Sequence, residues 1–403
     1  MQSNVILGKS WASNRLLVVS ISLMLMLSGT AVDLIIPSFP ELQNIFNIST
    51  SMVQLTLSVN FLAFCVGCIF AGALGDRYSR RTVILIGLIV LFLSSILCAV
   101  VDNFYLLLVG RVLQGLAIAP ISVLTLVVLS DEFPKEQQRS LLGILNGFTN
   151  FAMSIAPIIG SYICLYFGWR GNFFFLALFS LICLLLGYIA LASRPGDPNI
   201  ALSPKAYLPL IKSSKFALFY TTIAASFVPF WVFISLSPIL YMKDLNVKLE
   251  HFGFYQGAIC GSFALLSLIS PTILNKLGAK RCFNFGLIAC ILGLLLIIYA
   301  SVANIKNPLF LTLTMIIYTL GTIFPINIIY PSALTVINNA KGKASAFILS
   351  VKWVFISVAL WGAGALYNHS FTAIGIVCII SIIIFLVSLW ILKNNEWIEM
   401  DAP

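Results

Sequence analysis

Apolar runs of about 20 residues, the length needed to cross a hydrocarbon core, recur along most of the chain and alternate with short polar turns. They place spans at 15–37, 51–74, 82–101, 105–130, 140–165, 171–192, 216–242, 251–275, 282–303, 308–337, 344–366 and 371–392. That predicts twelve helices. The run 308–337 is long and contains Pro325 and Pro331, so it is expected to kink or end early. The first run follows Lys9 and Arg15, as the core of a signal peptide would. It is too long for one, and no small-residue cleavage pattern precedes Asp33 and Pro37, so it reads as the first span.

Composition turns this pattern into an all-α integral membrane protein. Of 403 residues, 60% are hydrophobic and 9% charged, where a soluble domain carries about 25% charged. The 31 Phe, 13 Tyr and 7 Trp exclude a solvated coil. Nine Cys scattered through apolar runs exclude a disulfide-stapled scaffold. The net charge of +10 would suit a nucleic-acid partner, but its placement argues otherwise. With the N-terminus inside, 17 of the 23 Lys and Arg fall on the cytoplasmic side (the set that begins with Lys9 and Arg15 and ends with Lys393). The outer loops receive Arg170, Lys243, Lys248 and Lys306, and only Arg111 and Lys352 lie within spans. The excess positive charge is therefore a topology signal that puts both termini in the cytoplasm, with no nucleic acid as partner.

The longest polar stretch, 193–215, holds four Pro and four basic residues and separates six spans from six. This predicts an N-terminal half at 1–192, a cytoplasmic linker at 193–215 and a C-terminal half at 216–403. Basic turns follow the second span of each half, GDRYSRR at 75–81 and NKLGAKR at 275–281. Two such halves suggest a parallel duplication with a site near the midplane between them. Accidental symmetry of two basic loops is the competing explanation.

Polar groups inside spans carry the functional information, because a charge at the helix centre costs about 2.5–3.5 kcal/mol on insertion scales. Asp33 is the one carboxylate inside a predicted span, roughly 27 Å along the helix from Arg15. Desolvation disfavours an ionised carboxylate, so a carboxyl kept from bulk water can take and release a proton near neutrality. Proton coupling or substrate contact is one reading of Asp33; an interfacial Asp reached by headgroup water is the other. Arg111 lies at similar depth in span four, where it can modulate Asp33 or simply form a static buried salt bridge. Lys352 either faces the interior or snorkels to the surface. Asn60, Gln114, Asn146, Asn150, Gln256 and Asn327 line a cavity or join helices. Phe227, Phe230 and Trp231 form a wall for an apolar ligand or pack against lipid.

Catalytic patterns are missing. His251 and His369 lack metal-ligand spacing, Cys65 and Cys68 sit in an apolar span without a second pair, and no Walker A motif occurs. The chain is expected to be neither an enzyme nor a metal protein.

Between spans two and three, Gly72-Ala-Leu-Gly-Asp76-Arg77-Tyr-Ser79-Arg80-Arg81 resembles the signature loop of the major facilitator superfamily, G-x-L-a-D-r-x-G-R-[KR]. Ser79 stands where Gly is usual, and Asn275 takes the acidic position in the second half. The resemblance covers essentially the whole chain and implies the major facilitator fold of twelve helices in two six-helix halves. It makes Gly72, Asp76, Arg77, Arg80 and Arg81 a conformational latch, with Gly72 allowing close packing. RVLQG at 111–115 resembles the fourth-helix motif whose Arg is tied to proton transfer, and Gly115 there permits close helix approach. Ala152-x-x-x-Ala156-Pro157-x-x-Gly160-Ser161 resembles the antiporter motif, with Ala and Ser replacing Gly. Asp33-x-x-x-Pro37-x-x-Pro40, with Trp169-Arg170 and Ser237-Pro238, is similar to the Bcr/CflA-type drug:proton antiporters.

These resemblances imply an inner-membrane monomer that exports small amphipathic drugs or metabolites by alternating access. The proton gradient drives it without a cofactor, and its partners are the substrate, protons and the bilayer. A proton-coupled importer of a nutrient or siderophore is the nearest alternative, and a non-transporting membrane sensor on the same scaffold is another.

Overall fold

The computed structural model describes residues 11–198, 210, 212–336 and 341–398, and these are helical with no strand among them. Lys9, Lys205 and the middle of the predicted linker lie outside the described residues. The elements are α1 (Trp11–Asp33), α2 (Phe39–Phe46), α3 (Thr50–Tyr78), α4 (Arg80–Val100), α5 (Phe104–Glu132) and α6 (Lys135–Ala190), then α7 (Ser214–Pro238), α8 (Leu249–Leu277), α9 (Ala279–Val302), α10 (Pro308–Thr335), α11 (Lys341–Leu366) and α12 (Phe371–Asn394). Side-chain caps start several of them: Ser49 accepts from the Met52 N–H, Asn103 from Tyr105 and Leu106, Ser213 from Phe216, and Asn307 from Phe310. Such caps satisfy amide groups that the first helical turn leaves open.

Among the described residues, eleven helices are long and apolar enough to cross a membrane. The twelfth span is hidden inside α6. At 56 residues a straight helix would extend roughly 84 Å, nearly three hydrocarbon thicknesses. Gly168 breaks it, with φ 68 and ψ −177, a backbone conformation that glycine tolerates best. The carboxylate of Glu41 then caps the second limb by accepting from the Trp169 N–H at 2.8 Å. The two limbs run back to back. Near the break, Gly160 lies against the end of α1, whereas the returning limb brings the Tyr188 carbonyl to Arg81 at the start of α4. The twelve-helix expectation is therefore met, six spans before the linker and six after it.

Two spans differ from their expected course. The first ends at Asp33, not at residue 37, because a turn and a 3-10 segment at Ile36–Ser38 lead into α2, with Pro37 lacking the N–H a continuing helix would use. The tenth span keeps helical assignment through Pro325 and Pro331 and closes at Thr335.

We call the side holding the Ser79 turn and residues 193–198 the linker side, and the side holding Asp33 and Ser49 the distal side. Helices of the two halves meet along α3 with α11 and α6 with α8. The described hydrogen bonds across this interface cluster distally. Gln54 donates to the Ser235 carbonyl at 3.0 Å, and Ser58 and Ser357 each donate to the other's carbonyl at 3.0 and 3.2 Å. Lys243 donates to Gln43 and Asn44 at 2.9 and 2.7 Å.

Candidate functional site

Asp33 is 1% exposed, and among the described residues neither carboxylate oxygen has a hydrogen-bond partner. Two neighbours hold its backbone. A Cβ on Gly160 of α6 would stand 2.1 Å from the Leu34 carbonyl oxygen, so only glycine lets the helices approach this closely. Asn172 on the second limb of α6 donates to Ser38 Oγ at 2.7 Å and to the Gly160 carbonyl at 3.2 Å, tying the segment after Asp33 to the same helix. Across the interface, the buried Cys260 of α8 lies in the neighbourhood of Asp33.

The antiporter-like stretch sits between these two partners. Ala156 is buried, and Gly253 of α8 packs so close that a Cβ would meet the Pro157 carbonyl at 3.0 Å and the Ile158 Cα at 2.9 Å. Gly257, one turn on, meets Ile158 and the Ser154 carbonyl, each at 3.1 Å. One helix thus touches both the Asp33 segment and the opposite half. The sequence reading overlooked the receiving surface, although Gly253-x-x-x-Gly257-x-x-x-Gly261 is a small-residue stripe legible in the chain. Gln256 sits beside this stripe, 1% exposed, with both amide atoms unpartnered.

Arg111 does not pair with Asp33. Its Nε donates to the Thr56 carbonyl at 3.3 Å and its Nη1 to Gln114 Oε1 at 2.7 Å, while Nη2 has no partner. Gln114 passes the network on to Ser95 at 3.0 Å, and Asn60 donates to the Arg111 carbonyl at 2.8 Å. Gly115 makes this possible, since a Cβ there would sit 2.2 Å from the Asn60 carbonyl oxygen. The static salt bridge is therefore replaced by neutral acceptors, and Asn60 and Gln114 act in this conformation as links between α3, α4 and α5. Asn327 likewise donates to Ser270 at 2.9 Å, joining α10 to α8, and Asn146 is exposed.

A cavity of about 140 Å³ lies between the halves. It gathers Asn150 from α6, Phe227, Phe230 and Trp231 from α7, and Lys352 from α11, five of the ten expected substrate contacts. The structure adds Cys260 and Phe263 of α8, Thr319 and Thr322 of α10, and Trp353 of α11. Phe61 of α3 packs on Trp353 and Trp231 with centroids 4.3 and 5.0 Å apart, and the two Trp rings are 5.3 Å apart. Lys352 does not snorkel: it lies about 17 Å from the start of its helix, with Nζ 4.6 Å from the Phe227 ring centre and 4.7 Å from that of Trp353. Cys260 both lines the cavity and lies in the neighbourhood of Asp33.

On the linker side, Arg80 bridges Asp76 at 3.1 Å and also pairs with Asp131 at the end of α5. Asp131 was not anticipated. Arg81 donates to the Tyr188 carbonyl at 2.8 Å and stacks over its ring. The Asp197 N–H of the linker donates to the Asp76 carbonyl at 2.9 Å, and Gly196 lies against the backbone of Arg77. The expected packing role of Gly72 is corrected: nothing lies within 4 Å of where its Cβ would be, and Gly75 holds the close contact, 2.6 Å from Leu124. No cluster of metal ligands occurs among the described residues.

Residues 21–360 match the model of the Major Facilitator Superfamily. Among characterised proteins, the chain is similar to the multidrug resistance protein MdtL of Escherichia coli O139:H28 (strain E24377A / ETEC) and of Shigella boydii serotype 18 (strain CDC 3083-94 / BS512), each 27% identical over 263 residues. Those matches span 64% of this chain and 65% of each relative's own length, so slightly under two thirds of the relatives is covered. Among solved structures, it resembles a bacterial homologue of the human lysosomal transporter Spinster in an inward-facing, unoccupied conformation, with a TM-score of 0.78 at 14% identity, covering 98% of this chain and 100% of that one. The partially occluded inward-open xylose transporter XylE from E. coli gives a TM-score of 0.75 at 14% identity, covering 97% and 100%. With the family matched over most of its length and twelve spans in the structure, this chain is a multi-pass membrane protein that belongs to the Major Facilitator Superfamily, a family of transporters and not of enzymes.

Proposed function

We propose that this transporter exports small amphipathic organic compounds in exchange for protons, working as a monomer in the inner membrane. Both termini face the cytoplasm in this reading, so the linker side is cytoplasmic and the distal side is outer. The distribution of Lys and Arg, 17 inside against 4 outside, supports the orientation. Halves bounded at 1–192 and 216–403, joined by the 193–215 linker, rock about the central cavity. The similarity to proteins named for multidrug resistance supports export of drug-like molecules.

One observation carries the coupling. Asp33 is a buried carboxylate without a hydrogen-bond partner among the described residues, on a segment braced by Gly160 and near Cys260 of the other half. An ionised carboxylate held this way loses several kcal/mol of hydration unless it is paired. Movement between α6 and α8 changes which water reaches it, so its proton exchange follows the direction in which the cavity opens. Protonation from outside accompanies release of cargo, and the return step delivers the proton inside. Cargo and proton shift the equilibrium only by their differential affinity for the two states. Arg111 sits in a separate network and acts on this cycle by holding α3 against α5.

The test begins with expression in an efflux-deficient host and a toxicity screen across antibiotics and dyes, with and without a protonophore. Inverted vesicles then separate the readings: an exporter accumulates the compound when the vesicle interior is acidified, whereas an importer expels it and a sensor shows no net flux. Asp33→Asn is expected to abolish gradient-driven accumulation while the protein remains folded. Wild-type accumulation with an unchanged pH response in that variant would remove Asp33 from the mechanism.

A further inference from the structure

Among the described residues, Lys352 is the one charged side chain lining the central cavity, whose other sides are aromatic, apolar or neutral polar. At about 17 Å into α11 its stem is too short to carry the ammonium to either surface. No carboxylate among the described residues pairs with it; its ring partners are Phe227 and Trp353, at 4.6 and 4.7 Å. Stacking on two rings holds the cation without neutralising it. Asp33 does not do so, because it is not part of the cavity lining.

We propose that the cargo site selects organic anions that carry a ring, their negative group seated at Lys352 and their ring against Phe230 and Trp231. This inference deepens the transport reading above and rests on the central cavity being the cargo site. Three features favour an anion. A charge inside a membrane protein is retained where it meets a partner or a pathway, and the cavity lacks any partner of its own for this one. A cationic cargo would meet like charge in a space with little water to screen it. A neutral cargo would leave the ammonium unpaired each time the site closed. The ring selectivity follows from the wall, since Phe230 meets Trp231 edge-to-face at 5.6 Å and Phe263 at a tilt at 5.8 Å, an aromatic cluster against which another ring can pack. The carboxylate of such a cargo would take an N–H of Lys352 and an N–H of Asn150, the amide that lines the same space.

The experiment uses the purified full-length protein in lipid nanodiscs and three naphthalene probes of matched shape, the 2-carboxylate, the 2-carboxamide and the 2-methylammonium, with binding read by calorimetry. The carboxylate should bind about tenfold to a hundredfold tighter than the carboxamide, the range of a charge-assisted contact, and the ammonium most weakly. Lys352→Gln should erase the difference between carboxylate and carboxamide, Lys352→Arg should retain it, and Phe230→Ala should weaken all three probes. Probes that bind without charge preference yet weaken in Phe230→Ala overturn the anion selectivity and leave the cavity as the cargo site. Binding indifferent to Phe230→Ala overturns the cavity reading itself. No binding of any probe overturns the aryl anion as cargo class. A carboxylate preference that survives in Lys352→Gln, with the fold checked by its size-exclusion profile, assigns the selectivity elsewhere and overturns the role of Lys352.

Discussion

Gly160 of α6 packs against the backbone of Leu34, the residue after Asp33, leaving room for no larger side chain: a Cβ would stand 2.1 Å from the Leu34 carbonyl oxygen. The same limb of α6 carries Pro157 and Ile158 against Gly253 of the opposite half. A displacement of α6 relative to α8 therefore reaches the Asp33 segment without any intermediary. The neighbouring atom at Gly160 is backbone, which cannot rotate away as a side chain would.

Gly160→Ala should consequently push the Asp33 segment from α6, at an overpacking cost of about 1–3 kcal/mol. The expected outcome is a lower thermal unfolding midpoint together with reduced gradient-driven transport. Gly72→Ala serves as the comparison, because open space surrounds that position and neither property should change. Thermal unfolding and vesicle transport on the two variants check this; equal losses in both would contradict it.

A second prediction concerns the turn between α3 and α4. Ser79 is held at φ 113 and ψ 128, a region that L residues rarely adopt, and its buried hydroxyl lacks a partner. Gly278, between α8 and α9 at the matching place in the other half, has φ 80 and ψ 152. One half thus uses glycine where the other strains a serine. Ser79→Gly should stabilise the protein by about 1 kcal/mol, the lower end of the penalty for such a backbone. Gly278→Ser should lose a similar amount, through conformation alone because nothing lies within 4 Å of the new Cβ. Thermal shifts of opposite sign are the check.

The distal closure offers a third. Lys243 reaches from the segment after α7 to Gln43 and Asn44 on α2, linking the two halves at one edge. Its contacts are partly exposed, so their loss should be worth about 1 kcal/mol, roughly a fivefold change in a population. Lys243→Met should therefore raise the distal-open population about fivefold. Spin labels at Asn47 and Asn304, both exposed distal positions, report this in a cysteine-free background as a longer component in the distance distribution. An unchanged distribution would assign closure to the α3–α11 and α6–α8 contacts alone.

Much of the architecture was legible in the chain because the bilayer imposes a length on every apolar run. The twelve spans and the turn around Asp76 follow from local pattern. The end of the first span was not, since Ile36–Ser38 is apolar enough to continue but turns where Pro37 withholds an N–H. The placement of polar side chains divided in the same way. Asp33, Arg111 and Lys352 stood out as charges in apolar runs, which is a property of the sequence. Their partners did not.

Residue pattern alone determined that the chain lies in a membrane, how often it crosses, and which side chains sit there against their own solvation preference. Only the tertiary structure decided that Arg111 bonds to Thr56 and Gln114 and leaves Asp33 alone, that Lys352 stacks on Phe227 and Trp353, and that Gly160 carries α6 onto the Asp33 segment. The physical reason is range. Hydrophobic length acts within one helix and can be read along it, whereas pairing of a buried polar group depends on the rotation and depth of helices far apart in the chain, which packing sets.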